Sequence, residues 1–208
     1  MRAFAAILAM LLVLPLAASC VKLERQPVEK RFYALETARP APGVVPALAA
    51  SPATMLVRRL HVSPRAAGRE LVYRTAPSAW TADYYNMFFV SPADMLTQDL
   101  RAWLAAAGVC ANVVDPGSLA APDYILEGNV TALHGDFAVK PPQAVVEMQF
   151  LLLKSTGDER KVLLTREYRK SAPLSGNTPQ ELVRAMRESV AAAYADLESD
   201  LRTVLPRK

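Results

Sequence analysis

The stretch Asp123-Tyr124-Ile125-Leu126-Glu127-Gly128-Asn129-Val130-Thr131-Ala132-Leu133 decides the fold class. Leu126, Val130 and Ala132 point one way; Glu127, Asn129 and Thr131 point the other. This period of two predicts a half-buried strand. The pattern repeats downstream, where Val146, Met148, Phe150 and Leu152 alternate with Glu147 and Gln149. Gly157-Asp158 marks a turn, and Val162, Leu164 and Tyr168 form the apolar side of a third strand. Three amphipathic strands in series predict an antiparallel sheet with one face against an apolar layer.

The last segment supplies a cover for that face. Thr178-Pro179-Gln180-Glu181 reads as a capping box with proline at the first helical position. Leu182, Met186, Val190, Ala193, Leu197, Leu201 and Leu205 then form one stripe, predicting a helix over about 179–204. A second helix is predicted over 92–107. Ser91 caps it, Pro92 opens it, Asp94 suits its positive end, and Gly108 stops it. Leu96, Leu100, Trp103, Leu104 and Ala107 make its apolar face.

Further strands are predicted near 31–35, 55–62, 70–74, 84–90 and 109–114. The expected fold is therefore α+β, an α/β sandwich. A mostly antiparallel sheet of about six strands, near 31–35, 55–62, 70–74, 124–133, 145–154 and 161–169, is covered by two amphipathic helices. Thr37 to Ala53 is rich in proline and alanine. It reads either as a stiff surface loop inside the domain or as an extended linker that would leave the first strand as a tail.

The N-terminus reads as an export signal. Arg2 is the only charge before Lys22, Ala3 to Ala18 has no polar side chain, and Ala17-Ala18-Ser19 precedes Cys20. A positive end, an apolar run and a small-residue cleavage site define a secretory signal. The run from Ala3 to Val21 approaches the length of a spanning helix. Its alanine content, Pro15 and small-residue end favour cleavage. Residues 1–19 are thus expected to be a signal peptide, 20–29 a lipid-anchored tether, and 30–208 a single domain. Cys20 stands where a lipobox places its lipidated cysteine, although Ala17 occupies the usual leucine position. Ala17-x-Ser19 also suits ordinary signal peptidase.

The charge balance is +4 over 208 residues and has no basic run of the kind that binds nucleic acid. Only two cysteines exist. If Cys20 carries a lipid, Cys110 is left in an apolar setting and reads as a buried, inert thiol. If it does not, the two could pair in an oxidising compartment. The two histidines, His61 and His134, have no second metal ligand near them in sequence. No nucleophile elbow, His-Glu-x-x-His or phosphate loop occurs. No catalytic residue, cofactor or metal site is expected.

The most unusual internal feature is aromatic: Trp80, Tyr84, Tyr85, Phe88 and Phe89 fall within ten residues. In a regular strand, Tyr85, Met87 and Phe89 share one face, and Tyr84, Asn86 and Phe88 the other. Large groups on both faces require that one set be covered by another element or chain. The cluster is therefore either core or contact surface. Tyr84, Tyr85 and Phe88 are the candidate partner-contact residues.

Five segments in order carry a family resemblance: Phe32-Tyr33-Ala34-Leu35, Leu71-Val72-Tyr73-Arg74, Asp83-Tyr84-Tyr85-Asn86, Pro92-Ala93-Asp94-Met95-Leu96 and Tyr124-Ile125-Leu126-Glu127-Gly128. With them the chain resembles the ABC-type transport auxiliary lipoprotein family over roughly residues 30–205. The resemblance implies an α/β domain without catalytic residues or cofactors. It also implies partnership with an ABC transporter permease and ATPase and with a mammalian-cell-entry (MCE) protein, in systems that move lipid across the envelope. Homo-oligomers are compatible with it. Lipidation transfers to Cys20 alone. Val21, rather than Asp, follows that cysteine, which points to the outer membrane with the domain facing the periplasm. The reading from another class is an envelope hydrolase or a small-ligand-binding lipoprotein.

Overall fold

A computed structural model describes residues 28–40, 51–157 and 159–206. The expected signal peptide, Cys20 and most of the proline-rich stretch lie outside the described residues. The chain runs β1 (Arg31–Tyr33), β2 (Ser51–Val57), β3 (His61–Val62), β4 (Glu70–Ala76), β5 (Ala79–Phe88), α1 (Pro92–Ala107), β6 (Cys110–Val114), β7 (Tyr124–Asp136), β8 (Gln143–Thr156), β9 (Glu159–Pro173) and α2 (Pro179–Val204).

β7 is the spine. Along one edge it pairs antiparallel with β8, which pairs antiparallel with β9. Its other edge is shared in series by three shorter strands, all parallel to it: β2 at 124–126, β3 at 129–130 and β4 at 135–136. β6 adds to β2 in parallel, β5 to β4 antiparallel, and β1 to β5 in parallel. The fold is α+β, as expected, with two helices on one sheet. The sheet is mixed: its three long ladders, β4–β5, β7–β8 and β8–β9, are antiparallel as expected, the short ladders are parallel, and it has nine strands rather than about six. The local hairpins β7–β8–β9 show in the sequence as alternation, whereas parallel pairing needs a crossover whose destination alternation does not encode.

The expected strand over 55–62 is also divided. After Val57 the backbone leaves the ladder, and Leu60 turns into the core with 1% exposure. Its N–H is taken by Thr97 Oγ1 of α1 at 2.8 Å. A buried amide needs a partner, and the helix supplies it where the sheet does not.

Both helix starts form as read. Ser91 Oγ accepts the Asp94 N–H and donates to its carboxylate, and Thr178 Oγ1 accepts the Glu181 N–H. Gly108 closes α1 at φ 61°, a left-handed conformation that glycine adopts without steric cost. Leu182, Met186, Val190, Ala193, Leu197 and Leu201 of α2 are fully buried, packed over β8 and β9. Trp103 of α1 meets Tyr194 of α2 edge to face, and the Tyr194 hydroxyl donates to the Leu96 carbonyl at 3.0 Å.

The N-terminal segment is fastened to this helix pair. Leu35 is fully buried. Thr37 donates its backbone N–H and its hydroxyl to the Asp99 carboxylate. Arg39 grips Glu198 with two hydrogen bonds of 2.9 and 2.8 Å, while Trp103 Nε1 donates to the same carboxylate. β1 is thus a strand of the sheet, not a tail.

Candidate functional site

The aromatic segment owes its geometry to an interruption in β5. Running back along the β4–β5 ladder, Ala82 faces Val72 and Asp83 faces Leu71, but the next pair is Glu70 with Met87. Tyr84, Tyr85 and Asn86 therefore have no partner on β4, and the strand bulges outward. Asp83 holds the bulge. Its Oδ1 accepts the N–H groups of Tyr85 and Asn86 at 2.9 and 3.0 Å. Its Oδ2 accepts Asn86 Nδ2 at 2.9 Å and the Tyr73 hydroxyl at 2.8 Å. Asn86 Oδ1 in turn accepts the Tyr33 hydroxyl at 3.0 Å. Burial favours the neutral Asp83 carboxyl, but the hydrogen bonds from Tyr73, Asn86 and the two amides together outweigh it, so its pKa is lowered. Burial, then the bond to Asp83, pushes the Tyr73 phenol well up.

The bulge breaks the strict alternation that the sequence implies. Tyr84 and Tyr85 are pushed out, 65% and 44% exposed, with their rings edge to face at 5.2 Å. Phe88 returns to the core at 2% exposure. Of the three candidate contact residues, the structure leaves two on the surface. Phe88 is withdrawn from the set, because once the bulge has closed its side chain turns inward among the buried apolar residues.

The surface around the tyrosines is richer than the sequence reading proposed. Phe32 and Phe89 are 48% and 67% exposed and meet edge to face at 6.2 Å. Lys30 lies over the Tyr84 ring at 4.0 Å and Arg69 over the Phe32 ring at 5.4 Å. Val28 and Val90 are exposed beside them in the chain. Of the eight large apolar side chains exposed among the described residues, six belong to this ledge; Leu119 and Val162 lie elsewhere. The sequence signal that marks it is Asp83-x-x-Asn86, whose carboxylate bridges the amides two and three residues on.

Other potential chemistry is quiet. Burial pushes the Cys110 thiol up to about 11 and the His134 imidazole down to about 4. His134 packs against Trp80, which Arg65 covers from 4.5 Å. His61 is exposed. Among the described residues no group of three His, Cys, Asp or Glu side chains stands close enough to hold a metal ion. The uncovered face of β7, β8 and β9 carries an open groove of about 870 Å³. Its arginines are already answered by carboxylates: Arg58 by Glu127 at 2.9 Å, Arg59 by Asp94 at 2.6 Å and Arg166 by Asp200 at 3.1 Å.

The fold has solved counterparts. Protein XCC0632 from Xanthomonas campestris, assigned to the DUF330 family, superposes with a TM-score of 0.72 at 19% identity, covering 84% of this chain and 96% of its own. A second crystal structure, of an uncharacterized protein, gives 0.65 at 17% identity, covering 83% and 99%. No curated protein matches the chain. The family model for the ABC-type transport auxiliary lipoprotein component matches residues 33–198, from β1 into α2. That extent carries the general role: an auxiliary component of an ABC transport system, held at a membrane of the envelope. Among the described residues no helix is long and apolar enough to cross one. The chain belongs to the ABC-type transport auxiliary lipoprotein family.

Proposed function

We propose that this protein is a non-enzymatic accessory subunit of an MCE-type ABC lipid transport system. It is anchored through a lipid on Cys20 and docks or steadies the transport complex at the outer membrane. In this reading residues 1–19 are removed, 20–29 form the tether, and 30–208 form the working domain. The observation that carries it is the family match over residues 33–198. The Ala17-Ala18-Ser19-Cys20 site supports the anchor, and Val21 supports the outer membrane. A tether raises the concentration of the domain near a membrane-bound partner, so docking needs little intrinsic affinity. Tyr84 and Tyr85 are the contact residues of this reading, and they meet a neighbour in the envelope.

The groove on the uncovered sheet face is the one observation that favours the other class, a small-ligand-binding lipoprotein. Its openness and its paired charges weigh against it, and the packed core beside an exposed aromatic ledge favours the subunit. The discriminating experiment is affinity purification from membranes combined with complementation. An MCE protein, permease and ATPase should co-purify with the wild type, and the Cys20→Ala chain should appear in the soluble periplasmic fraction and complement a deletion poorly. Full complementation by that variant, with no MCE protein cross-linked to the wild type, would sink the proposal.

A further inference from the structure

The ledge and the anchor are close in the chain. Cys20 and Val28 are separated by eight residues, a reach of at most roughly 28 Å. Lys30, two positions on, lies over Tyr84. The chain therefore reaches the ledge within ten residues of Cys20. A lipid on Cys20 keeps this edge of the sheet, and not the far edge at β9, nearest the bilayer.

The chemistry of this edge matches that surface. Side chains at Lys30 and Phe32 fall on one side of the chain by strand alternation, and each takes an aromatic partner, Tyr84 or Phe89, from the segment after Asp83. Tyrosine and phenylalanine rings with cations on their faces suit the boundary between headgroups and acyl chains. There the ring enters the apolar layer while the hydroxyl and the charge stay wet. From Lys22 to Arg31 the chain carries four cations against two carboxylates. Such a segment is drawn to anionic headgroups. The ledge is also fixed before any contact: Asp83 locks the bulge through four hydrogen bonds, so the aromatic side chains are presented without ordering a loop.

We propose that Val28, Phe32, Tyr84, Tyr85, Phe89 and Val90 form a membrane-interface footprint that rests in the headgroup region of the bilayer holding the anchor. This rests on the anchored reading and names the neighbour that Tyr84 and Tyr85 meet. The footprint gives the tethered domain one orientation, with the ledge toward the lipid and the opposite end of the molecule toward the periplasm.

Hydroxyl-radical footprinting tests it. The lipidated full chain is reconstituted in phosphatidylethanolamine–phosphatidylglycerol vesicles and compared with the Cys20→Ala chain free in solution. Modification of Tyr84, Tyr85 and Phe89 should fall several-fold on vesicles, while the exposed Leu119 and Val162 react equally in both. Unchanged modification of the ledge on vesicles overturns the footprint. So does protection that arises only when transporter proteins are added, because the ledge then belongs to a protein contact. Palmitate labelling and flotation report the anchor separately. A chain that neither incorporates palmitate nor floats removes the anchored reading. The same soluble chain mixed with the same vesicles then decides the footprint alone: protection upholds it, and full reactivity overturns it.

Discussion

The stripe of α2 and the ledge beside β1 are both rich in apolar side chains, yet their fates are opposite. Leu182, Met186, Val190, Ala193, Leu197 and Leu201 repeat at helical spacing and are sealed against β8 and β9. Phe32, Tyr84, Tyr85 and Phe89 are left in solvent, with Lys30 and Arg69 on two of their rings. Composition does not separate the two regions; backbone register does. The helix keeps one periodicity for 26 residues, so the whole stripe finds the same cover. β5 loses its periodicity at Asp83, and the side chains after it no longer share a face.

The sharpest way to break this contrast is to place a charge in the stripe. Leu197→Asp would bury a carboxylate without a partner, which adds a desolvation cost to the loss of the leucine. Leucine truncation alone costs about 2–5 kcal/mol at such sites, so the variant should unfold at much lower urea or not fold at all. An unchanged unfolding midpoint would mean that the stripe faces solvent.

Asp83→Asn is expected to cost less, about 1–3 kcal/mol, because acceptors for two amides and a phenol are weakened at once. It also carries a pH signature. The Asp83 pKa is lowered in the folded state, so its stabilisation is complete above the ordinary carboxylate pKa, about 3.9, and is lost as pH falls below that value through the folded one. Wild type should therefore lose stability relative to Asp83→Asn as the solution is acidified through that window. Parallel acid unfolding curves for the two proteins would remove Asp83 as the keystone of the bulge.

Tyr84→Ser should have the smallest effect on folding, within about 0.5 kcal/mol, since an exposed ring is removed. Binding of the domain to its neighbour should weaken all the same. If melting temperature and binding fell together, the ledge would be part of the core and the contrast with α2 would disappear.

Much of the architecture was legible because it is local. The capping residues Ser91 and Thr178, the stop at Gly108 and most of the alternation through β7, β8 and β9 act within a few residues of where they are read; register shifts beside Thr131 and Leu163 break the rest, leaving Val162, expected on the apolar side with Leu164, 54% exposed. What escaped depends on distant partners. Nothing near Leu60 shows that Thr97 will take its amide and split a strand. Nothing near β7 shows that three short strands will share one of its edges. Phe88 stands among the candidate contact residues, and strict alternation places it on one face with Tyr84. Asp83, with four hydrogen bonds and three residues that have no partner on β4, undoes that alternation. The aromatic composition marks the segment, but the ring that faces inward is visible only once the register is known.

The shared edge of β7 has a consequence for the order in which the protein can be made. Met55 pairs with Tyr124, His61 with Asn129 and Tyr73 with Gly135, so each of these strands waits more than sixty residues for its partner. A ribosome delivers the chain from its N-terminus. β2, β3 and β4 therefore emerge before the strand that will unite them exists. Contacts of such long sequence separation form late and slowly, because the intervening loop must be closed before any ladder stabilises it. β4 and β5 make a local hairpin meanwhile, and β6 gives β2 its first neighbour, but both are fragments with open edges. The arrival of β7 turns two nascent pieces into one sheet, and until then the first half of the chain keeps its strand edges open.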